Sequence, residues 1–362
     1  MALTTVDPGL ISTSSFKNRI INGAMVIAQR STGSVTASTT SAITYGSCDR
    51  WAYLVSQASK FTYQQSSTAP TGFTNSLLIT SSSAYTVGAS DTFNILQVIE
   101  GFNCADLGFG TANAKTITIS FWVQSSLTGT FGGVLCNYNI NRTYPFTYTI
   151  SSANTWEQKT ITISGDTTGT WNTNNSGGLQ LMFSLGTGSS ASGTAGSWSG
   201  SSYYGATGAT SVVGTSGATF YITGVQLEKG SVATSFDYRP YGTELQLCQR
   251  YYQNMQIAGQ NSGVGVFRGS SAANATELAL NITGAPMRTN PTVTTVTGGS
   301  TITVSTLGGS SSSFSFVYNT LVNSNVTGQV VRLRGGGGLT DNAPYIGWNP
   351  NADIVAGLSA EL

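Results

Sequence analysis

The chain contains no histidine. Without an imidazole there is no Ser-His-Asp triad, no Cys-His pair and no histidine-held metal, which removes most hydrolytic mechanisms. Charge is nearly as scarce: 8% of residues are charged, and 15 basic against 14 acidic side chains leave a formal charge of +1. No Lys/Arg run is present to follow a phosphate backbone, which argues against nucleic acid as a ligand. So few charges leave the surface poorly protected against self-association, and a homo-oligomer is expected. Cys48, Cys104, Cys136 and Cys248 are scattered with no CxxC pair, so no zinc site is expected and the thiols are expected to be buried. No stretch approaches the roughly eighteen apolar residues of a membrane helix, and the N-terminus lacks a signal-peptide pattern. Synthesis in the cytoplasm and no membrane insertion are the expectations.

What the chain does have is 39% hydrophobic and 10% aromatic residues set among Gly, Ser, Thr and Asn. That is enough apolar surface to offset ordering entropy, in a composition typical of β-structure rather than helix. Ile117, Ile119, Phe121 and Val123 alternate with Thr116, Thr118, Ser120 and Trp122. Phe146, Tyr148 and Ile150 alternate similarly, as do Ile161 and Ile163, then Leu179, Leu181, Phe183 and Leu185. Phe220 and Ile222 continue the pattern up to Gly224, a candidate bulge. Antiparallel strands at this spacing predict an all-β jelly-roll sandwich. A Gly/Ser/Thr/Ala tract from 186 to 217 interrupts it as a long loop, and such loops are commonly functional or mobile.

The organisation expected is an arm over 1–18, the jelly roll over 19–240, a linker helix over 241–255 and a smaller C-terminal β domain over 256–362. The helix is placed at Thr243–Met255, with Leu245, Cys248, Tyr252 and Met255 on one face and Thr243 with Gln246 as a capping box.

INGAMVIAQR at 21–30, with DRW at 49–51, resembles the opening of a jelly-roll module of bacteriophage and prophage tail and virion proteins. ITGVQLEKGSVATSFDYRPYGTELQLCQRYYQ at 222–253 is similar to the closing strand and linker helix of that family. PMRTNPTV at 286–293 and the terminal LSAEL fit its C-terminal domain, so the resemblance covers most of the chain. It implies a trimeric tail-fibre-type protein of the virion, fixed to the particle by its N-terminal segment and aiding host attachment, often through glycans.

Aromatic rings stack on the C–H faces of sugars while amides and hydroxyls satisfy the sugar hydroxyls. Trp171 in GTWNTNNSGG, and Trp198, Tyr203 and Tyr204 in the Gly/Ser tract, lie outside clean strand alternation beside such groups. They are the candidate glycan contacts; the competing reading is that they cover the sandwich edge or pack between subunits. Trp51, Phe121 and Trp156 are assigned to the core.

A glycan hydrolase needs only two carboxylates. Glu100 with Asp106, and Glu228 with Asp237, read instead as ion pairs or turn caps, so no catalytic residue, metal ligand or cofactor is assigned. A structural calcium on Asp49 or Asp237 stays open, and RLRGGGG at 332–338 reads as a turn. Three function classes follow: a glycan-binding attachment protein, a capsid decoration or tail adaptor protein, and a depolymerising tailspike.

Overall fold

The structure is a computed structural model that describes residues 17–260, 266–270, 277–282, 287–289, 292–297, 301–306, 311–317, 329–335, 344–349 and 354–362. The expected N-terminal arm lies almost wholly outside the described residues. The chain divides into two compact units: one of 1–26, 33–45 and 51–241, the other of 27–32, 46–50 and 242–362.

The first unit is an all-β sandwich of two six-stranded antiparallel sheets. In chain order its strands are β1 Val35–Thr36, β2 Thr44–Tyr45, β3 Ala52–Val55, β4 Phe61–Ser66, β5 Ser76–Ser81, β6 Thr92–Glu100 and β7 Ile117–Ser125. They continue with β8 Gly129–Asn137, β9 Thr143–Ile150, β10 Glu157–Ile163, β11 Gly177–Thr187, β12 Ser192–Gly193, β13 Gly205–Ala206 and β14 Thr219–Lys229. One sheet runs β1-β4-β5-β14-β7-β10 and the other β2-β3-β6-β11-β8-β9, the interleaved order of a jelly roll.

The inward half of each alternating strand makes the core. Phe121 of one sheet meets Phe183 of the other at 4.9 Å and Tyr148 at 5.0 Å, while Trp51 stands 6.4 Å from Phe183. Trp51 and Phe121 are fully buried, as expected. Trp156 is not in the core: it is half-buried on the outer side of the first sheet, 6.1 Å from Tyr221. It precedes β10 on the outward parity of that strand, so strand alternation assigns it to the opposite face from Glu157. Gly224 supplies the bulge: its φ is +60°, and the register of β14 against β7 shifts between Thr223 and Gln226. A Cβ there would stand 2.6 Å from the Phe73 ring.

The Gly-rich tract is not a free loop. Ala191, Ser192, Ala206, Val212 and Val213 are buried, and short β12 pairs in parallel with β13. Small residues let the tract lie close on the second sheet; a Cβ on Gly132 of β8 would meet the Ala206 and Ala209 methyls at 3.0 and 3.1 Å.

The helix, α1, is Tyr241–Gln249, starting two residues earlier than expected and ending six earlier. Thr243 is therefore inside it and not its cap. Tyr252 and Met255 belong to a strand, because Tyr251 and Tyr252 favour extended pairing and Tyr252 lies opposite Ser359.

The second unit is mainly a nine-stranded sheet. Its strands are β15 Tyr252–Gln260, β16 Val266–Ser270, β17 Glu277–Ile282, β18 Thr292–Thr297, β19 Thr301–Thr306, β20 Ser311–Val317, β21 Gln329–Gly335, β22 Pro344–Asn349 and β23 Ile354–Ser359. The RLR of RLRGGGG lies in β21, opposite β17. Among the described residues no helix is long and apolar enough to cross a membrane.

In this unit the separated segments INGAMVIAQR, DRW, LCQRYYQ, PMRTNPTV and LSAEL supply one cluster. Arg30 and Arg50 both bind the Glu361 carboxylate, and their side chains are only 11% and 1% exposed. Arg30 lies 3.6 Å over the Tyr252 ring and Arg50 3.5 Å over that of Tyr251. Arg288 donates to the carbonyls of Ala360 and Glu361, each at 3.0 Å, and Met287 packs with Leu358 and Ala360. Asp49 accepts from Gln29 and stands 3.9 Å from Arg30, yet burial pushes its carboxyl up to about 6.

Candidate functional site

Trp171 and Trp198, 27 positions apart, meet at 5.5 Å with their planes at 89°. Phe109 completes a trio of mutually perpendicular rings, 4.9 Å from Trp171 and 5.9 Å from Trp198, and Tyr144 of β9 stands 5.3 Å from Trp198. Phe109 is buried, while both indoles and Tyr144 are half-buried. Edge-to-face packing of this kind adds about 0.5–1.5 kcal/mol per pair beyond area burial.

The loop from 164 to 171 positions Trp171 by its own turn chemistry. Asp166, 2% exposed, accepts from the Thr168 amide at 3.0 Å and the Thr168 hydroxyl at 2.9 Å, closing an Asx turn. Arg142 grips the same carboxylate through Nε at 2.6 Å and Nη2 at 2.9 Å, a bidentate ion pair. Gly169 follows at φ +80°, where a Cβ would stand 2.4 Å from Arg142 Cγ. The Trp171 indole N–H then donates to the Thr168 carbonyl at 3.0 Å.

Trp198 is placed by the Gly/Ser tract, which pairs with the edge of β9. Ser199 and Thr143 exchange backbone bonds of 2.8 and 3.0 Å, and Gly196 donates to the Pro145 carbonyl at 2.9 Å. The Trp198 indole N–H donates to the Ser164 carbonyl at 2.7 Å. Both indoles are thus fixed at edge and face before any ligand arrives. Arg142 Nη1 lies 3.9 Å from the notional Cβ of Gly200. Half-exposed indole faces held at fixed angles make a preorganised corner for stacking.

Of the four candidate residues, the structure brings Trp171 and Trp198 together and leaves Tyr203 and Tyr204 outside that ring cluster. Tyr203 lies on Gly193, whose notional Cβ would fall 2.3 Å from its ring. The Tyr204 amide donates to the Ala191 carbonyl at 2.8 Å, and burial holds its phenol above the usual tyrosine range. Sequence reasoning missed Phe109, Tyr144, Arg142 and Asp166. Only the Asp166–Gly169 turn left a local signal.

Of the four carboxylates considered for catalysis, Glu100 is buried and the other three have partners of their own. Asp106 binds Arg19 at 2.8 Å, Glu228 accepts from the Thr234 amide and hydroxyl at 2.8 Å each, and Asp237 accepts from the Lys17 amide at 2.9 Å. Among the described residues no three acidic, cysteine or histidine side chains gather as a metal cluster. The cysteines are buried thiols, with Cys104 pushed up to about 12 by burial.

The sequence matches no protein-family profile. It matches no curated protein. Among solved structures, it is similar to the family 61 carbohydrate-binding module TmCBM61 in complex with β-1,4-galactotriose. Identity is 12%, coverage 59% of this chain and 99% of that one, and TM-score 0.30. A family 11 carbohydrate-binding module from Clostridium thermocellum, in complex with a β-1,3-1,4-mixed-linked tetrasaccharide, gives 10%, 56%, 99% and 0.28. The enzymatically active domain of tailspike protein 4 of bacteriophage CBA120 gives 12% identity, 59% of this chain and TM-score 0.30, and the match spans 21% of that domain. At these scores the likeness transfers neither ligand nor chemistry to this chain.

Proposed function

We propose that this chain is a structural subunit of a bacteriophage tail fibre, assembled as a trimer in the virion, that attaches to host-surface glycans without cutting them. The observation that carries the glycan reading is the Trp171–Trp198 pair: two half-exposed indoles at 89°, each tied to a backbone carbonyl, with the Arg142–Asp166 ion pair bracing the turn before Trp171. A rigid aromatic corner loses little entropy on stacking, and many copies on one particle turn weak single-site binding into avidity.

The virion reading rests on the resemblance. Its scattered segments supply the Arg30, Arg50, Tyr251, Arg288 and Glu361 cluster of the second unit, so the residues that carry the resemblance also build one structural element.

The test is binding of the purified chain to immobilised bacterial surface polysaccharides, with Trp171→Ala/Trp198→Ala compared against the native sequence. At least tenfold weaker binding with retained far-UV dichroism is expected, together with antibody labelling at the phage tail. Equal binding by the variant would refute the site, and labelling confined to the capsid would favour a decoration protein.

A further inference from the structure

The outer face of the first sheet carries a second aromatic surface, distinct from the Trp171–Trp198 corner. Trp156 and Tyr221 stand 6.1 Å apart. Tyr221 lies opposite Gln124 and Thr223 opposite Trp122, which makes Tyr221 and Trp122 diagonal neighbours on one face. Phe73 and Trp122 both flank Gly224, within 2.6 and 3.1 Å of its notional Cβ. Tyr238 continues the strip 5.5 Å from Phe73, 59% exposed, with its hydroxyl tied to the Gly72 carbonyl at 2.7 Å.

Leu78 of β5, opposite Tyr221, is apolar, and the other outward positions between these rings are amides and hydroxyls. They are Thr62 and Gln64 on β4, Thr80 on β5, Gln124 on β7, and Gln158 and Thr160 on β10. None is charged. The Gln124 Oε1 is buried and accepts no hydrogen bond from the protein.

This combination selects among occupants. A second copy of the chain would have to pair those amides and hydroxyls one by one across the contact, since polar groups left unpaired on burial are penalised. An acidic polymer would find no cation among these side chains to balance it. An uncharged chain rich in hydroxyls supplies both ring-stacking C–H faces and donors for groups such as Gln124 Oε1.

We infer that the outer face of the first sheet is a second binding surface, for an uncharged polysaccharide chain laid across Trp156, Tyr221 and Trp122. It is independent of the Trp171–Trp198 corner.

The experiment is calorimetric titration of the full chain with a neutral β-glucan, a galactan and a mannan, each paired with a uronate polymer of similar length. Trp156→Ala/Tyr221→Ala, Trp156→Phe/Tyr221→Phe and Trp171→Ala/Trp198→Ala are compared. Binding of at least one neutral polymer is expected, tenfold or more weaker in the alanine variant, largely restored by phenylalanine, and retained without Trp171 and Trp198. The inference is overturned if no neutral polymer binds, if uronate polymers bind more tightly, or if the alanine variant binds like the native chain. It is equally overturned if that variant loses oligomeric mass, which would make the face a contact between copies.

Discussion

Glu361→Gln tests the cluster that ties the end of the second unit together. Its carboxylate is 7% exposed and receives Arg30 and Arg50, the latter 1% exposed over the Tyr251 ring. Removing the charge takes from both buried cations the carboxylate they share, while Asp49 stands 3.9 Å from Arg30. Deleting one partner of a buried pair is destabilising by about 3–5 kcal/mol, because the other charge stays desolvated. The strands nearest in sequence, β15 and β23, pair from Tyr252 to Ser359, so their amides report the loss. Native-state hydrogen exchange there is expected to accelerate by about 10²- to 10⁴-fold, taking 1.36 kcal/mol per decade. Arg50→Met alone is expected to destabilise similarly, while Arg50→Met/Glu361→Gln loses less than the sum, by about 2–3 kcal/mol. Acceleration under tenfold, or strict additivity, would refute the view that these groups neutralise one another.

Two further predictions follow from local geometry. Asp49 is raised from 3.8 to about 6 by burial, so between those values the folded state keeps a proton that the unfolded chain releases. Its contribution is therefore fully present below about pH 4 and lost as pH rises through 6, by about 3 kcal/mol at most; denaturation from pH 4 to 7 measures this slope, and Asp49→Asn should flatten it. Gly169→Ala forces a side chain into φ +80° and toward Arg142, and at least about 1–2 kcal/mol of destabilisation is expected by chemical denaturation. Unchanged stability would show that the Arg142–Asp166 turn is not rigid.

Strand alternation placed Phe121, Ile119, Phe183 and Leu181 in the core because side-chain direction in a strand has period two and depends on no distant partner. The Gly224 bulge was legible for the same kind of reason, since a glycine interrupting an alternating run marks a break in pairing. Helix length was not: capping and spacing near Thr243 permit a helix to Met255, and only the pairing of Tyr252 with Ser359, over a hundred residues away, ends it at Gln249.

The same divide runs through the candidate site. Exposed-aromatic chemistry singled out Trp171 and Trp198 one at a time, but their meeting depends on the Gly/Ser tract pairing with the edge of β9 and on Arg142 reaching Asp166. Trp156 moved from the expected core to an outer face because parity is fixed by register, which is set by the partner strand. Composition and periodicity determined that this chain is an all-β sandwich without histidine chemistry. Tertiary structure alone decided which rings share a surface, because sequence-distant side chains become neighbours only once the sheets and loops have packed.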